Sequence, residues 1–329
     1  MNKPINDGAF GDAKFTIAEL SELFEVSRST LYQFDKDAVI TGHLVPSGTT
    51  KKKLYGWGDV EKLAQKLREK IKTPIENKVK VFANLKGGVG KSSLSSQFAM
   101  RASSGGLKTL LIDLDPQAHA TLAVGYEIDD STPTIMEALI NKTPLSTIIK
   151  HVTPLLGLVP ASLGLAALEM KLFQMSKREQ RLSELIREIR NEWDLIVVDT
   201  NPSASIVNVN AILAADELCI VTATDFLSVT GLKKLFSILK ELEEDFDTVP
   251  NVRIIPNLFD VRDGIAQESL GLLRQHYGKF LTNTVVRKNT DIKEAQKAAQ
   301  SICQYSRKST GAEDVSSLTN ELLRENTIV

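Results

Sequence analysis

The sequence has few cysteines and no long hydrophobic stretch. Its 329 residues include only two cysteines, Cys219 and Cys303, and neither lies in a CxxC or Cys/His cluster. This spacing argues against a disulfide framework and against a structural zinc site. The sequence has no apolar run long enough to span a membrane, and the amino terminus lacks the apolar core of a signal peptide, so we expect a cytoplasmic protein.

The chain also lacks an excess of charge of either sign. It has 40 Lys and Arg residues against 41 Asp and Glu residues, which gives a formal net charge of -1 at pH 7. This balance argues against a protein that binds nucleic acid through its overall charge. Any DNA-binding surface must therefore be local. The sequence contains no internal repeat and no low-complexity segment.

A change in residue pattern divides the chain into two domains. Residues 1–13 are polar and predict a flexible tail. Residues 14–77 are basic and helical in pattern, and we interpret them as a small helical domain with its linker. Pro74 disfavours further helix, so we place that linker near residues 73–78. Residues 78–329 form the second and larger domain.

The larger domain shows short apolar runs that alternate with amphipathic stretches. Runs that are apolar on both faces are typical of parallel strands covered by helices on both sides. We therefore predict an α/β fold with a doubly wound, mostly parallel sheet. The predicted strands are VKVFANL, TLLIDLD, LLGLVPA, DLIVVDT, ELCIVTA and VRIIPNL.

A glycine-rich segment, KGGVGKSS at residues 86–93, lies between the first predicted strand of the sheet and a predicted helix. Gly87, Gly88 and Gly90 permit backbone conformations that side chains would block. Backbone N–H groups can then converge on phosphate oxygens at the positive end of the following helix. The strand, loop and helix together predict a phosphate-binding loop.

Two side chains after the glycines complete the predicted phosphate site. Lys91 would neutralise β- and γ-phosphate charge, and the Ser92 hydroxyl would bind Mg²⁺. The usual GxxxxGK[ST] pattern has a glycine where this chain has Leu85, so the loop is a deviant form. The alternative is a flexible loop without a ligand. The residues expected to contact nucleotide here are Lys86, Gly87, Gly88, Val89, Gly90, Lys91, Ser92 and Ser93.

Three aspartates follow predicted strands. Asp113 and Asp115 end TLLIDLD, and Asp199 ends DLIVVDT. In a doubly wound sheet, ligands bind at the carboxyl ends of the strands. A carboxylate there can hold the Mg²⁺ water shell or orient an attacking water. For any single aspartate, capping of the next segment is the alternative.

These motifs resemble, in order and spacing, those of the ParA/MinD family of deviant-Walker ATPases, and within it the ParA partition proteins. The resemblance covers roughly residues 78–325. One departure is Asn201 before Pro202, where the family usually has two prolines. The motifs that carry the resemblance are KGGVGKSS, LLIDLDPQ, DLIVVDTNPS, AADELCIV, GLKKL, IIPNLFDVRD and the tail EAQKAAQSICQYSRKSTGAEDVSSLTNELL.

The resemblance implies a homodimer with two ATP molecules sandwiched between the subunits. Lys86 resembles the signature lysine that reaches the partner's ATP phosphates, and Asp115 the residue that positions the hydrolytic water. Asp199 would support Mg²⁺ together with Ser92 and Asp115, and Asn257 lies in the segment that contacts adenine. Lys86, Lys91 and Asp115 are the implied catalytic residues. In this family hydrolysis is slow and is stimulated by a ParB-type centromere-binding partner.

ATP-bound dimers of the family bind DNA without sequence preference through basic residues on the carboxyl-terminal side. Arg287 and Lys288 are the candidates here, with further cations nearby in sequence: Lys293, Lys297, Arg307 and Lys308. Such contacts to phosphate would weaken steeply with salt. A solvated charged face is the alternative. The acidic end of the chain lacks the basic amphipathic helix with which MinD-type relatives bind membranes, so we expect no membrane attachment.

The small domain resembles the winged helix-turn-helix of MerR-like domains. Its segment FTIAELSELFEVSRSTLYQF has the pattern of helix, turn and helix, and GTTKKKLYGWGDVEKL could form a basic hairpin wing. The resemblance implies major-groove contacts by Arg28, Ser29 and Tyr32, and phosphate contacts by Lys51, Lys52 and Lys53. Glu25 stands in the turn, where such domains usually have a small residue. The alternative is a helical domain for dimerisation or partner docking.

Together these patterns predict a nucleoid-associated ATPase that partitions a plasmid or chromosome and can repress its own operon. One alternative keeps the ATPase but makes the cargo a protein assembly positioned on the nucleoid. Another is a transcriptional regulator for which ATP is a ligand rather than a fuel. Metabolic ATPases with the same loop are disfavoured by the absence of paired cluster cysteines.

Overall fold

The first part of the chain forms helices and a hairpin. In the computed structural model the described residues are 14–47, 50–69, 77–129, 131–164 and 168–324. The tail predicted over residues 1–13, and the linker apart from residues 77 and 78, lie outside the described residues. The first elements are α1 (Ile17–Leu23), α2 (Arg28–Lys36), β1 (His43–Ser47), β2 (Thr50–Leu54) and α3 (Trp57–Arg68).

These first elements, which we call the N-terminal module, surround a hydrophobic cluster. Leu20, Leu31, Tyr55 and Leu63 are fully buried there. Helix α1 begins with a capping box in which the Thr16 side chain accepts from the backbone N–H of Glu19 while the Glu19 side chain accepts from Thr16 N–H. Strands β1 and β2 pair antiparallel. The elements therefore follow the predicted order of helix, turn, helix and hairpin.

A seven-stranded sheet forms the centre of the larger domain. Its strands are β3 (Lys78–Ala83), β4 (Thr109–Asp113), β5 (Lys150–Thr153), β6 (Leu156–Val159), β7 (Leu195–Asp199), β8 (Glu217–Ala223) and β9 (Asn251–Asn257). Their order is β5-β6-β4-β7-β3-β8-β9, and every pair is parallel except β5 with β6. The predicted α/β fold with a mostly parallel sheet is confirmed.

Helices cover both faces of the sheet. They are α4 (Lys91–Ser104), α5 (His119–Ala123), α6 (Ile135–Asn141), α7 (Leu145–Ile148), α8 (Leu168–Phe173), α9 (Arg181–Ile189), α10 (Ile206–Ala214), α11 (Phe226–Phe246), α12 (Gly264–Tyr277), α13 (Thr290–Lys297), α14 (Ile302–Tyr305) and α15 (Thr310–Leu322). Val79 and Val81 of β3 pack on the face covered by α6 to α12, whereas Phe82 packs on the face covered by α4, α5 and α13 to α15. This alternation follows the two-residue period of a strand.

The N-terminal module packs directly against the larger domain. Leu155, just before β6, joins the hydrophobic cluster of the module. Arg68 at the end of α3 forms an ion pair with Asp194 beside β7. At Gly106, where φ is 96°, a Cβ would lie 2.4 Å from the Ala64 carbonyl oxygen. Only glycine allows α3 to approach this closely.

Among the described residues, no helix is both long and apolar enough to cross a membrane.

Candidate nucleotide-binding site

The glycine-rich loop joins β3 to α4 at the carboxyl edge of the sheet. Gly88 and Gly90 have φ values of 74° and 91°, in the left-handed region that favours glycine. A Cβ on Gly90 would lie 2.3 Å from Nδ2 of Asn257, and that same amide donates to the Val89 carbonyl at 2.7 Å. Asn257, at the end of β9, therefore fixes the loop from the side.

The two lysines of the loop have different surroundings. Lys91 is 5% exposed, and its Nζ donates to the Lys86 carbonyl oxygen at 3.1 Å. Burial lowers the pKa of Lys91, and the nearby Asp199 and Asp115 oppose that shift. Lys86 is instead partly exposed, and its Nζ donates to Oδ2 of Asp225 at 2.6 Å. Asp225 also caps α11 by accepting from Ser228 N–H at 2.9 Å.

Asp113 and Asp199 are paired residues of the neighbouring strands β4 and β7. Asp113 is fully buried and accepts hydrogen bonds from Asp115 N–H at 3.0 Å, and from the backbone and hydroxyl of Thr121 at 2.8 Å each. Burial raises the pKa of Asp113. Through these hydrogen bonds Asp113 stabilises the turn that contains Asp115.

Asp199 has the surroundings of a cation ligand. Its Oδ1 accepts from the Ser95 hydroxyl at 2.9 Å, while its buried Oδ2 has no hydrogen-bond partner within the described ranges. Burial raises the pKa of Asp199, and Asp113 adds to the shift, whereas the hydroxyls of Ser92 and Ser95 oppose it. An unpartnered buried carboxylate oxygen beside a hydroxyl fits the oxygen ligands that Mg²⁺ prefers.

A cavity of about 820 Å³ opens over the loop. Its floor includes Gly88, Gly90, Lys91, Ser92 and Ser93, and Asp115 and Asn257 also line it. This volume lies in the range of small-molecule sites, which is roughly 300–1,000 Å³. The structure therefore brings together the predicted loop, one predicted catalytic carboxylate and the predicted adenine segment around one space.

One wall of this cavity is not predicted from the sequence. Helix α13 and the residues before it supply Asn289, Ile292, Lys293, Gln296 and Lys297. The sequence groups Lys293 and Lys297 with cations near a predicted DNA surface, whereas both line the cavity. The signal that could have indicated this wall is the burial of Ile292 and Ala295 at helical spacing, which packs α13 on the face of the sheet that α4 covers.

Arg287 has internal partners. Its guanidinium donates to Asp314 Oδ1 at 2.6 Å and Oδ2 at 2.9 Å, and to Glu313 at 2.8 Å. These hydrogen bonds, those to Asp314 first, raise the pKa of Arg287. Lys288 beside it is exposed. Binding of DNA by either residue stays a prediction.

The predicted DNA-contacting residues of the N-terminal module lie on its surface. Arg28, Ser29 and Tyr32 are exposed on α2, and Tyr32 is 59% exposed. On β2, Lys51 and Lys52 are exposed without a salt bridge among the described residues, whereas Lys53 is paired with Asp35 of α2 at 2.6 Å. Whether this face binds DNA stays a prediction.

The site combines a strand, a glycine-rich loop with a buried lysine, and carboxylates at the ends of adjacent strands. These features define a P-loop nucleoside triphosphatase on a doubly wound sheet. The family of AAA domains matches residues 77–254. The chain is 35% identical over 276 residues to the cell division protein PomZ of Myxococcus xanthus, covering 83% of this chain and 86% of PomZ. It is 32% identical over 251 residues to the chromosome partitioning protein ParA of the same organism, covering 75% and 88%. The chain therefore belongs to the ParA/MinD-type P-loop ATPases.

Solved structures share the fold. The ATP complex of a Cyanothece McdA variant superposes with a TM-score of 0.69 at 20% identity, covering 78% of this chain and all of McdA. Cobyrinic acid a,c-diamide synthase of Mycobacterium smegmatis, with an ATP analogue and magnesium bound, superposes with a TM-score of 0.66 at 22% identity, covering 75% and 94%.

Proposed function

We propose that this chain is an ATPase that segregates DNA, most simply a plasmid or chromosome, by an ATP-dependent cycle of dimerisation and DNA association. The observation that carries the proposal is the pair of lysines on the glycine-rich loop. Lys91 is buried under the phosphate site, and Lys86 is partly exposed beside it and paired with Asp225. A loop that served only its own nucleotide would need the first lysine and not the second.

ATP would lie in the cavity over the loop. The backbone N–H groups of residues 87–93 and Lys91 bind the phosphates, and Asn257 holds the loop in shape. The Ser92 hydroxyl and Asp199 would hold Mg²⁺, which spreads the charge that develops on the transferred phosphate. Asp115 orients the attacking water. Lys86 leaves Asp225 and contacts the phosphates of the partner subunit, so that dimerisation depends on ATP.

The DNA-bound state would use cations of the assembled dimer. Lys288 and Arg287 contact DNA phosphates without reading sequence, and the N-terminal module uses Arg28, Ser29 and Tyr32 for operator DNA. Lys51, Lys52 and Lys53 would contact the backbone beside the groove. A ParB-type partner stimulates hydrolysis and so releases the dimer from the nucleoid.

Two substitutions in one loop test the nucleotide part of the proposal. Lys91→Ala should lower ATP affinity by roughly 100-fold, because charge-assisted hydrogen bonds contribute about 1.5–3 kcal/mol each. Lys86→Ala should bind ATP normally but remain monomeric with ATP. ATP affinity is measured by calorimetry and mass by light scattering, with Lys234→Ala on the exposed side of α11 as the control. Normal ATP affinity of Lys91→Ala would refute the site.

A second candidate function keeps the same cycle but changes the cargo to a protein assembly, such as a cell-division complex. It is favoured by the identity to PomZ, which extends over 83% of this chain. Deletion of the gene distinguishes the two candidates. Loss of a replicon from the population indicates DNA cargo, whereas normal replicon inheritance with misplaced division sites indicates a protein cargo.

A further inference from the structure

A buried glutamate lies in the turn between α1 and α2. Glu25 has a φ of 53°, in the left-handed region, where helices more often end with glycine or asparagine. Its side chain is 3% exposed and lies between the N-terminal module and the larger domain. A buried carboxylate is costly unless it is paired, so its partners determine what this turn does.

The partners of the Glu25 carboxylate belong to the larger domain. Arg101 of α4 forms an ion pair with the Glu25 carboxylate at 3.2 Å, and the Ser301 hydroxyl donates to it. Arg307 donates to the Glu25 carbonyl oxygen at 2.9 Å, and Gln304 donates to the Glu22 carbonyl oxygen at 2.7 Å. The contacts thus converge on α4, which begins at the phosphate loop, and on residues 301–307.

The chain just before this segment borders the nucleotide cavity. Gln296 lines the cavity and accepts from the hydroxyl of Ser93, the third residue of α4. One turn further along α4, Gln97 accepts from Ile302 N–H at 2.6 Å and donates to the Gln300 carbonyl at 3.2 Å. Side-chain hydrogen bonds therefore connect the floor of the cavity, residues 296–307 and the module.

We propose that Glu25 docks the α1–α2 edge of the N-terminal module on Arg101 and residues 301–307, so that ATP binding and docking of this edge are linked. A nucleotide that orders Ser93 and α13 would strengthen the contacts of Glu25 with Arg101 and Ser301. By reciprocity, whatever holds the module in place raises the affinity for ATP by the same factor. A ligand that binds the N-terminal module and holds it in place would therefore raise the affinity of the ATPase site for ATP.

The module has a second attachment that makes the proposal testable. Helix α3 stays fixed through Arg68 and Asp194, and through its close approach to Gly106. Loss of the Glu25 contacts should therefore release the α1–α2 edge from residues 301–307 without detaching the module from the larger domain.

The experiment is hydrogen exchange of the full chain with and without MgATP, comparing Glu25→Gln with Glu22→Gln. Glu22 is the matched control because it lies three residues before Glu25, near the end of α1, its side chain is exposed, and only its backbone contacts Gln304. In the wild type and in Glu22→Gln, MgATP should slow exchange at residues 84–97, 296–308 and 15–36. In Glu25→Gln, exchange at 15–36 should rise by roughly tenfold, and MgATP should no longer slow it, while protection at 84–97 remains.

Protection confined to residues 84–97 in the wild type would overturn the linkage while leaving the proposed nucleotide site intact. A wild-type pattern in Glu25→Gln would overturn the role of Glu25. Absence of protection even at 84–97 would overturn the nucleotide site and the linkage together. Arg101→Gln removes the same ion pair from the other side and must reproduce the Glu25→Gln pattern. Lys86→Ala should bind ATP but remain monomeric. Protection that persists in this variant therefore comes from docking and not from a dimer interface.

Discussion

Lys86 and Lys91 lie five residues apart in one loop, but their side chains point in different directions and have different partners. Lys91 points into the loop, where burial lowers its pKa and the carboxylates of Asp115 and Asp199 hold its charge. Lys86 points outward to Asp225. A free chain thus has a ready phosphate ligand in Lys91, and a second lysine that must give up an ion pair before it can contact another molecule.

The ion pair between Lys86 and Asp225 should oppose dimerisation. Asp225→Asn keeps a side chain that can cap α11 but removes the charge that holds Lys86. Each subunit must break its own ion pair, and a partly exposed pair contributes about 0.2–1 kcal/mol, so the protein concentration for half-dimerisation with ATP should fall by up to about 30-fold. Sedimentation equilibrium measures it, with Asp245→Asn at the far end of α11 as the control. A higher midpoint than in the wild type would show that Asp225 supports the dimer.

Asp115 should be needed for turnover but not for binding. It lines the cavity, and its Oδ1 accepts from Gln117 N–H at 3.0 Å, which leaves its other oxygen for a water. Asp115→Ala should reduce ATP hydrolysis by roughly 100-fold or more, while ATP affinity and dimerisation are retained. Phosphate release measures the rate, with the exposed Glu188→Ala as the control. Undiminished hydrolysis would remove Asp115 from this role.

At the scale of elements, the six apolar runs of the sequence became the six parallel strands of the sheet. Strands covered on both faces are apolar throughout, so their pattern is visible without tertiary information. Strand β5 (Lys150–Thr153) was not predicted because it is short, half-buried and antiparallel at the edge. Its letters KHVT contain no apolar run.

The loop and its carboxylates were predictable because each follows a strand, and parallel strands end at one edge. The α13 wall and the internal pairing of Arg287 were not, because they depend on how distant helices pack. Asp314, the main partner of Arg287, lies 27 residues further along the chain, on α15. Nothing in the local sequence distinguishes a cation held by such a carboxylate from one that faces solvent.

Arg287 and the adjacent Lys288 should therefore respond differently to substitution. Arg287→Ala leaves the buried Asp314 carboxylate without its guanidinium and should lower the free energy of unfolding by about 1–3 kcal/mol. Lys288→Ala should change it by less than about 0.5 kcal/mol. Urea unfolding measures both variants. Equal stability of the two would show that the pairing with Asp314 does not matter for folding.

The Lys288→Ala variant also tests the predicted DNA-binding surface. Lys288→Ala should weaken binding to random duplex DNA and reduce the salt slope by about one, as expected for loss of one phosphate contact. DNA binding of this variant is compared with that of the wild type under conditions in which both are fully folded. An unchanged slope would place the DNA-binding surface elsewhere.

At the scale of the whole molecule, the chain combines a P-loop ATPase with an N-terminal module that is packed against it through two contacts. The contact through Glu25 is connected to the nucleotide cavity by hydrogen bonds of Gln97 and Gln296, and the contact through Arg68 reaches Asp194 beside β7. The central claim is that ATP controls the association of this molecule with DNA.

The most direct test is binding of the purified full chain to random duplex DNA with ATP, with ADP and without nucleotide, at low and moderate salt. We predict binding that requires ATP and weakens steeply as salt rises. Equal binding in all three nucleotide states would contradict it, because the ATPase domain would then not control DNA association.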